Sequence, residues 1–315
     1  MSAETSAVIS PPVAPARSPS TPARQRHSLT HPPRTGLLLV APAVVMVAVF
    51  VLAPLLFALG ISFTDWPLIG DVSGAGFANY VSIGSDTGFL RAVLYTLLYT
   101  AIVTLPILVA GYALAVLVRS RRRGATLLRT VFFLPFVVGL TTLSLMTVLE
   151  AQPDSGGLNL VLQALGITDG STAWLVDGPL ATGLVSALVI WGVAGLTMLL
   201  LMAGMQAIPR EVYESADLDG ASWWQQEWRI TIPILRRTIA MSLVISVVGS
   251  LLAFTQFYVL TDGGPGSATT TVVLYIYHRA FVQLQLGAAA ALSIMLVVVV
   301  ALVTALQLWL VRGEE

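Results

Sequence analysis

The chain has 315 residues, a formal net charge of zero and no cysteine; 56% of its residues are apolar and only 10% are charged. A soluble domain carries about 25% charged residues, so this composition excludes an ordinary soluble enzyme and predicts an all-α, polytopic membrane protein. Without cysteine there is no disulfide, thiolate metal site or cysteine nucleophile; without lysine there is no G-x-x-x-x-G-K-[ST] phosphate loop, so the chain is not its own ATPase by that route.

Residues 1–34 are rich in Pro, Ser, Ala, Thr and Arg and cannot bury a core, which predicts a disordered tail. The apolar run that follows is too long for the h-region of a cleaved leader. The tail's His27 and His31 read as solvated side chains. Residues 35–315 form the membrane domain, with six spans predicted near 36–63, 90–118, 127–149, 179–206, 238–260 and 285–311. Between them, 64–89 is a glycine-rich loop, 150–178 carries an amphipathic piece at 158–165, and Thr261, Asp262, Gly263, Gly264 and Pro265 form a tight turn.

Arginine placement orients these spans. Arg17, Arg24, Arg26 and Arg34 precede the first; Arg119, Arg121, Arg122, Arg123 and Arg129 lie between the second and third. Arg210, Arg229, Arg236 and Arg237 lie between the fourth and fifth, and Arg312 follows the sixth. With six spans all of these fall on one side, leaving Arg91 and Arg279 opposite among many aspartates. This predicts that both termini and the loop after the fourth span are cytoplasmic, in a cell-membrane protein.

That loop, 209–235, is the polar interval between two uncharged apolar runs. Pro209 suits a first helical turn, and Glu211 and Glu214 fall near the positive end of the helix dipole. Gly220 ends or bends this helix, a second short helix is predicted at 223–232, and Pro233 stops or kinks it. Ala216 and Gly220, four apart with Ala221 beside them, make a small-residue face that another protein could approach closely.

The order Glu214, Ser215, Ala216, then Asp219, Gly220, Ala221, Ser222, then Trp224, Gln225, then Ile230, Thr231, Ile232, Pro233 resembles the EAA loop of binding-protein-dependent ABC import permeases. It is most similar to the carbohydrate-uptake branch related to maltose and glycerol-3-phosphate permeases. The resemblance extends over nearly the whole chain after the tail: Phe63, Thr64, Asp65 and Trp66; Asn79 and Tyr80; Arg129 through to Pro135; Tyr258 through to Pro265; Leu274, Tyr275, Ile276 and Tyr277; Ala280 and Phe281; and Gly287 to Ala290 with Ser293. It implies a type I importer fold and a cytoplasmic coupling helix that docks on an ATPase, through Glu214, Ser215, Ala216, Asp219, Gly220, Ala221, Ile230 and Pro233. In that likeness Glu214 is the acidic contact and Gly220 the hinge. It also implies a heterodimer with a second, homologous permease, two ATPase subunits and an extracytoplasmic solute-binding protein. The chain itself would bind no cofactor, with ATP and magnesium held by the ATPase. Four positions depart from the pattern: Ser215 stands where alanine is usual, Glu227 where phenylalanine packs, Thr255 where aspartate is frequent and Tyr95 where asparagine is.

Inside the six spans, away from their ends, there is no Asp, Glu, Lys, Arg or His. This argues against acid–base or metal catalysis and against a proton-coupled carrier, which needs an intramembrane relay. An ion-coupled secondary carrier using backbone carbonyls remains the alternative. A neutral polar solute would be handled by hydroxyls, amides and aromatic faces, which picks out Thr255, Gln256, Tyr258 and Trp191. Further candidates are Thr142, Ser144, Thr147, Thr197, Ser246 and Ser250, although hydroxyls in membrane helices mostly bond a backbone carbonyl. No metal-ligand spacing and no nucleic-acid signature occurs, so lipid and protein are the expected surroundings.

Overall fold

The computed structural model describes residues 33–67, 69–119 and 124–312. The tail expected over 1–34 lies outside these residues except for its last two, as do Arg121, Arg122 and Arg123. The chain divides into two units after Ala53. The described part of the first is helix α1 (Pro33–Val47) followed by a π-helical turn, Ala48–Leu52. From Leu38 onward its side chains are apolar and mostly exposed, as befits a helix whose solvent is hydrocarbon.

The second unit takes in most of α2 (Ala53–Ile61) and all that follows. A two-residue hairpin, β1 (Thr64–Asp65) with β2 (Ser73–Gly74), and α3 (Ala78–Ile83) occupy the predicted loop at 64–89. Next come α4 (Thr87–Val118), α5 (Ala125–Val138), α6 (Leu140–Glu150) and α7 (Gly157–Ala164). Then follow α8 (Gly178–Gln206), α9 (Arg210–Leu218), α10 (Trp223–Gln226), a π-turn (Glu227–Thr231) and α11 (Ile232–Leu251). Helices α12 (Thr255–Leu260), α13 (Val272–Tyr277), a π-turn (His278–Val282) and α14 (Leu286–Arg312) complete it.

Among the described residues, Leu38–Ile61, Thr87–Val118, Gly178–Gln206, Trp223–Leu260 and Leu286–Leu310 are each long and apolar enough to cross a membrane. The remaining predicted span, 127–149, is not one rod: α5 and α6 are bent by 90°. Gly139 makes the break, with φ +85° and ψ 147°, a conformation that only glycine adopts without strain. Six spans therefore hold if the bent pair counts as one. Of the two outcomes expected at Pro233, a stop or a kink, the stop does not occur. Helix α10 runs through its π-turn into α11, with the Ile232 amide bonded to the Glu227 carbonyl. This wider turn lets the chain stay helical up to a ring that lacks an N–H.

Helix α8 is the axis of the packing, with Val185, Met198 and Leu201 among its buried residues. Lipid tails are as apolar as leucine, so association here rests on close van der Waals contact and hydrogen bonds rather than water exclusion. Glycines supply the closeness. A Cβ at Gly195 would strike the Phe132 carbonyl oxygen on α5, and one at Gly111 of α4 would come within 2.6 Å of Thr197 Cβ on α8.

Hydroxyls take up backbone groups near the break between α11 and α12. Residues 252–254 separate α11 from α12, and the freed Ala253 carbonyl accepts from Thr271 Oγ1 at 2.7 Å. Thr96 Oγ1, on α4, accepts from the Val272 amide at 2.9 Å. At the N-terminus of α4, Asp86 caps the helix through the Gly88 and Phe89 amides, and its carboxylate also accepts from Tyr275 Oη (2.7 Å) and Arg279 Nη2 (2.5 Å). One carboxylate thus ties α4 to the α13 segment. Burial pushes the Asp86 carboxyl up, but the hydrogen bonds from Tyr275 and Arg279 outweigh it and hold the group below its usual value.

Two outcomes follow from this packing. Gly195→Val removes the α5–α8 contact and should abolish monodisperse protein on size-exclusion chromatography in detergent. Gly183→Ala, at a site with nothing within 4 Å, should leave elution unchanged. Asp86→Asn should lower Tm, at a cost of about 1–3 kcal/mol for charged hydrogen bonds. Because the folded value is depressed, native Asp86 stabilises fully above its ordinary value of 3.8 and loses that contribution as pH falls through the folded value. The Tm difference between native and Asp86→Asn protein should therefore shrink in acid.

Candidate functional site

The loop after α8 builds its site from opposed faces. Pro209 caps α9 with extended ψ, Glu211 lies in the first turn, and Gly220 closes the helix at φ +75°. The Ala221 amide bonds the Ala216 carbonyl at 2.9 Å and the Gly220 amide bonds that of Asp217 at 3.1 Å, a Schellman closure. Val212 and Tyr213 pack inward against Ala115, Val118, Met198, Leu201 and Met205. Ala216 goes with them: it is 8% exposed, so it belongs to the inner face and not to the partner-facing small-residue surface expected for it. The outer face carries Glu211, Glu214, Ser215 and Leu218, at the i, i+3, i+4, i+7 spacing of one helix side, with Asp217 and Asp219 beside it. Leu218 is 90% exposed, an apolar tip ringed by carboxylates. Sequence reasoning passed it over, although its place four residues after Glu214 would have put it on the acidic face.

The second half of the loop is fixed to the first. Ser222 and Gln225 form a reciprocal capping box that starts α10. Gln226 Nε2 donates to Asp217 Oδ1 at 2.6 Å and to the Ala221 carbonyl at 3.2 Å. Trp223, Trp224 and Trp228 point outward, in the manner of tryptophans at a membrane interface. Glu227 and Thr231 point inward, and Thr231 Oγ1 lies 3.0 Å from Tyr213 Oη. Ala221 and Ile230 are partly buried, whereas Pro233 and Gly220 are exposed. A cavity of about 690 Å³ behind α9 is lined by Arg119, Arg129, Arg210, Tyr213, Gln206 and Gln226 among others.

The proposed solute-handling residues divide. The 252–254 break opens a cavity of about 280 Å³ whose lining includes Tyr99, Ser246, Ser250, Thr255 and Gln256. Gln256 is 4% exposed and its Nε2 donates to Tyr99 Oη at 3.3 Å. Tyr258 lies outside that cavity, stacked on Phe254 with ring centroids 5.2 Å apart and edge-on to Tyr277 at 5.1 Å. Trp191 does not line the cavity and is 56% exposed on α8. Of the further hydroxyls, Thr147 bonds the Leu143 carbonyl, and Thr197 packs against Gly111. Tyr95, the departure on α4, bonds Thr182 Oγ1 at 3.0 Å. Among the described residues, no cluster of His, Cys, Asp or Glu could hold a metal ion.

Comparison with known proteins gives this geometry its setting. Residues 88–314 match the family described as "Binding-protein-dependent transport system inner membrane component". The lactose transport system permease protein LacF of Rhizobium radiobacter is 34% identical over 251 residues, covering 78% of this chain and 83% of that protein. A probable ABC transporter permease protein of Pyrococcus horikoshii is 32% identical over 282 residues, covering 89% and 96%. Among solved structures, a chain of a bacterial ABC transporter involved in import of the acidic polysaccharide alginate superposes with a TM-score of 0.78 at 24% identity, covering 89% of this chain and 96% of that one. The likeness to carbohydrate-uptake permeases drawn from the loop is borne out, and so is the all-α importer fold. This chain belongs to the family of binding-protein-dependent transport system inner membrane components, a family of transport subunits and not of enzymes.

Proposed function

We propose that the chain is the permease subunit of an ATP-driven importer that moves a sugar or related polyol, delivered by an extracytoplasmic binding protein. It pairs with a second, homologous permease, and two ATPase subunits dock on the cytoplasmic 209–235 loop; ATP and magnesium stay on those subunits. Both termini are cytoplasmic in this reading, which the arginine distribution supports. The observation that carries it is the division of α9 into an inner face sunk in the α4–α8 core and an outer face of Glu211, Glu214 and Leu218 left open. An apolar knob ringed by acids suits a groove with a greasy floor and a basic rim. ATP-driven closure of the ATPases would press this helix and rock the bundle between inward- and outward-facing states.

The sugar assignment draws on the named substrate of a relative such as LacF and on the chemistry of the break. Amide and hydroxyl groups of Gln256, Tyr99, Ser246 and Ser250 line a cavity with no charged residue in it, which fits a neutral polyhydroxyl solute. At about 280 Å³ it sits at the low edge of small-molecule sites, roughly 300–1,000 Å³, so a second permease would complete it.

The test is to purify the tagged protein from native membranes in mild detergent and identify every chain that comes with it. Recovery of an ATPase, a second permease and a binding protein is expected; recovery of this chain alone, transporting in liposomes without ATP, would establish an ion-coupled carrier instead. Gly220→Leu forces a side chain into φ +75°, at a cost of about 1–2 kcal/mol; no other atom lies within 4 Å, so the damage stays in the loop. It should insert normally yet lose the ATPase from the pull-down, as should Leu218→Asp and Glu214→Lys. Gln256→Ala should keep the ATPase and reduce uptake about tenfold, the worth of roughly 1.4 kcal/mol.

A further inference from the structure

We infer that Glu227 is a positioning residue for coupling: held by Arg119 and Tyr112, it fastens the second half of the 209–235 loop to helix α4, so that displacement of the loop moves α4. The inference rests on the coupling reading above and names the attachment through which that loop would act.

Glu227 is 2% exposed, yet it lies in the segment whose other large side chains, Trp223, Trp224 and Trp228, face outward. A carboxylate in that position persists only if it is paired. Its Oε2 accepts a hydrogen bond from Tyr112 Oη at 2.5 Å, and its Oε1 has no hydrogen-bond partner but is neutralised by an ion pair with Arg119 Nη2 at 2.5 Å. Both partners belong to α4 or its cap, more than a hundred residues earlier in the chain. Arg119 follows the last turn of α4, where the dipole favours a cation. Its guanidinium also lies 5.9 Å from the centre of the Tyr213 ring on α9. A single ion pair therefore joins three elements: the π-turn that opens α11, the coupling helix, and α4.

The rest of this segment's inward anchorage is weaker. Thr231 reaches Tyr213, so that bond ties α9 to the helix that continues as α11 but gives no hold on α4. In the Glu227–Thr231 turn it is Glu227 that reaches a membrane-crossing helix through a charged group. What it grips has a consequence further along. Tyr112 and Tyr99 share α4, about 20 Å apart along its axis, and Tyr99 bonds Gln256 in the cavity at the helix break. A shift transmitted at Glu227 reaches the proposed solute cavity along one continuous helix.

The experiment uses the complex purified from native membranes and reads ATP hydrolysis with and without its co-purifying binding protein. Glu227→Gln and Arg119→Met should each leave the ATPase bound and basal hydrolysis present, while stimulation by the binding protein falls tenfold or more. The double variant should be no worse than either single, because both remove one interaction. Stimulation within twofold of native in Glu227→Gln, or losses that multiply in the double variant, would overturn the inference. If the single variants do not accumulate, Glu227→Phe with Arg119→Met removes the buried charge altogether; folded, ATPase-bound complex without stimulation supports the clamp, and full stimulation sinks it. Gly220→Leu separates the two levels. If it leaves ATPase association and stimulation intact, the coupling reading itself fails; if it abolishes them while Glu227→Gln does not, only the clamp fails.

Discussion

Lipid supplies no hydrogen bonds, so wherever a helix breaks at membrane depth the freed backbone groups must find partners inside the protein. This constraint bears on the break at 252–254. At 252–254 the α11 helix stops, and the Ala253 carbonyl is taken by Thr271, a residue eighteen positions later with no exposed surface. The amide of the next residue, Val272, is taken by Thr96 of α4. One carbonyl freed at the break is thereby taken up, and Gln256 and Tyr99 bond each other at the edge of a small cavity.

Charge is treated by the same rule. Two buried or half-buried carboxylates matter to the architecture, and each bonds an arginine and a tyrosine. Asp86 gathers Tyr275 and Arg279 at one end of α4; Glu227 gathers Tyr112 and Arg119 at the other. An unpaired carboxylate in either place would cost several kcal/mol. The pairs therefore act as fixed points, and α4 is held at both ends by elements distant in sequence. Between them it lies against α8 with glycine and threonine at the contact.

The 209–235 loop shows how one helix serves two surroundings. Its Val212, Tyr213 and Ala216 belong to the core, and its Glu211, Glu214 and Leu218 to whatever lies beyond. A helix that is polar on one side and apolar on the other normally hides its apolar side completely. Here an apolar residue, Leu218, also stands at the tip of the polar side.

The sequence by itself determined that this is an all-helical membrane protein with a charged helical loop between apolar runs, because span length and charge exclusion are one-dimensional properties set by the thickness and polarity of a bilayer. It also marked Gly220 as the end of a helix, since a left-handed residue after a helix is a local requirement. Only the tertiary structure decided that the chain turns by 90° at Gly139 between α5 and α6, that α10 runs on into α11 despite Pro233, and that Ala216 faces inward while Leu218 faces out. It alone joined Gln256 to Tyr99 and Glu227 to Arg119, residues more than a hundred positions apart. Periodicity reports which residues share a face of one helix; which neighbour that face meets depends on how the helices pack, and no local pattern encodes it.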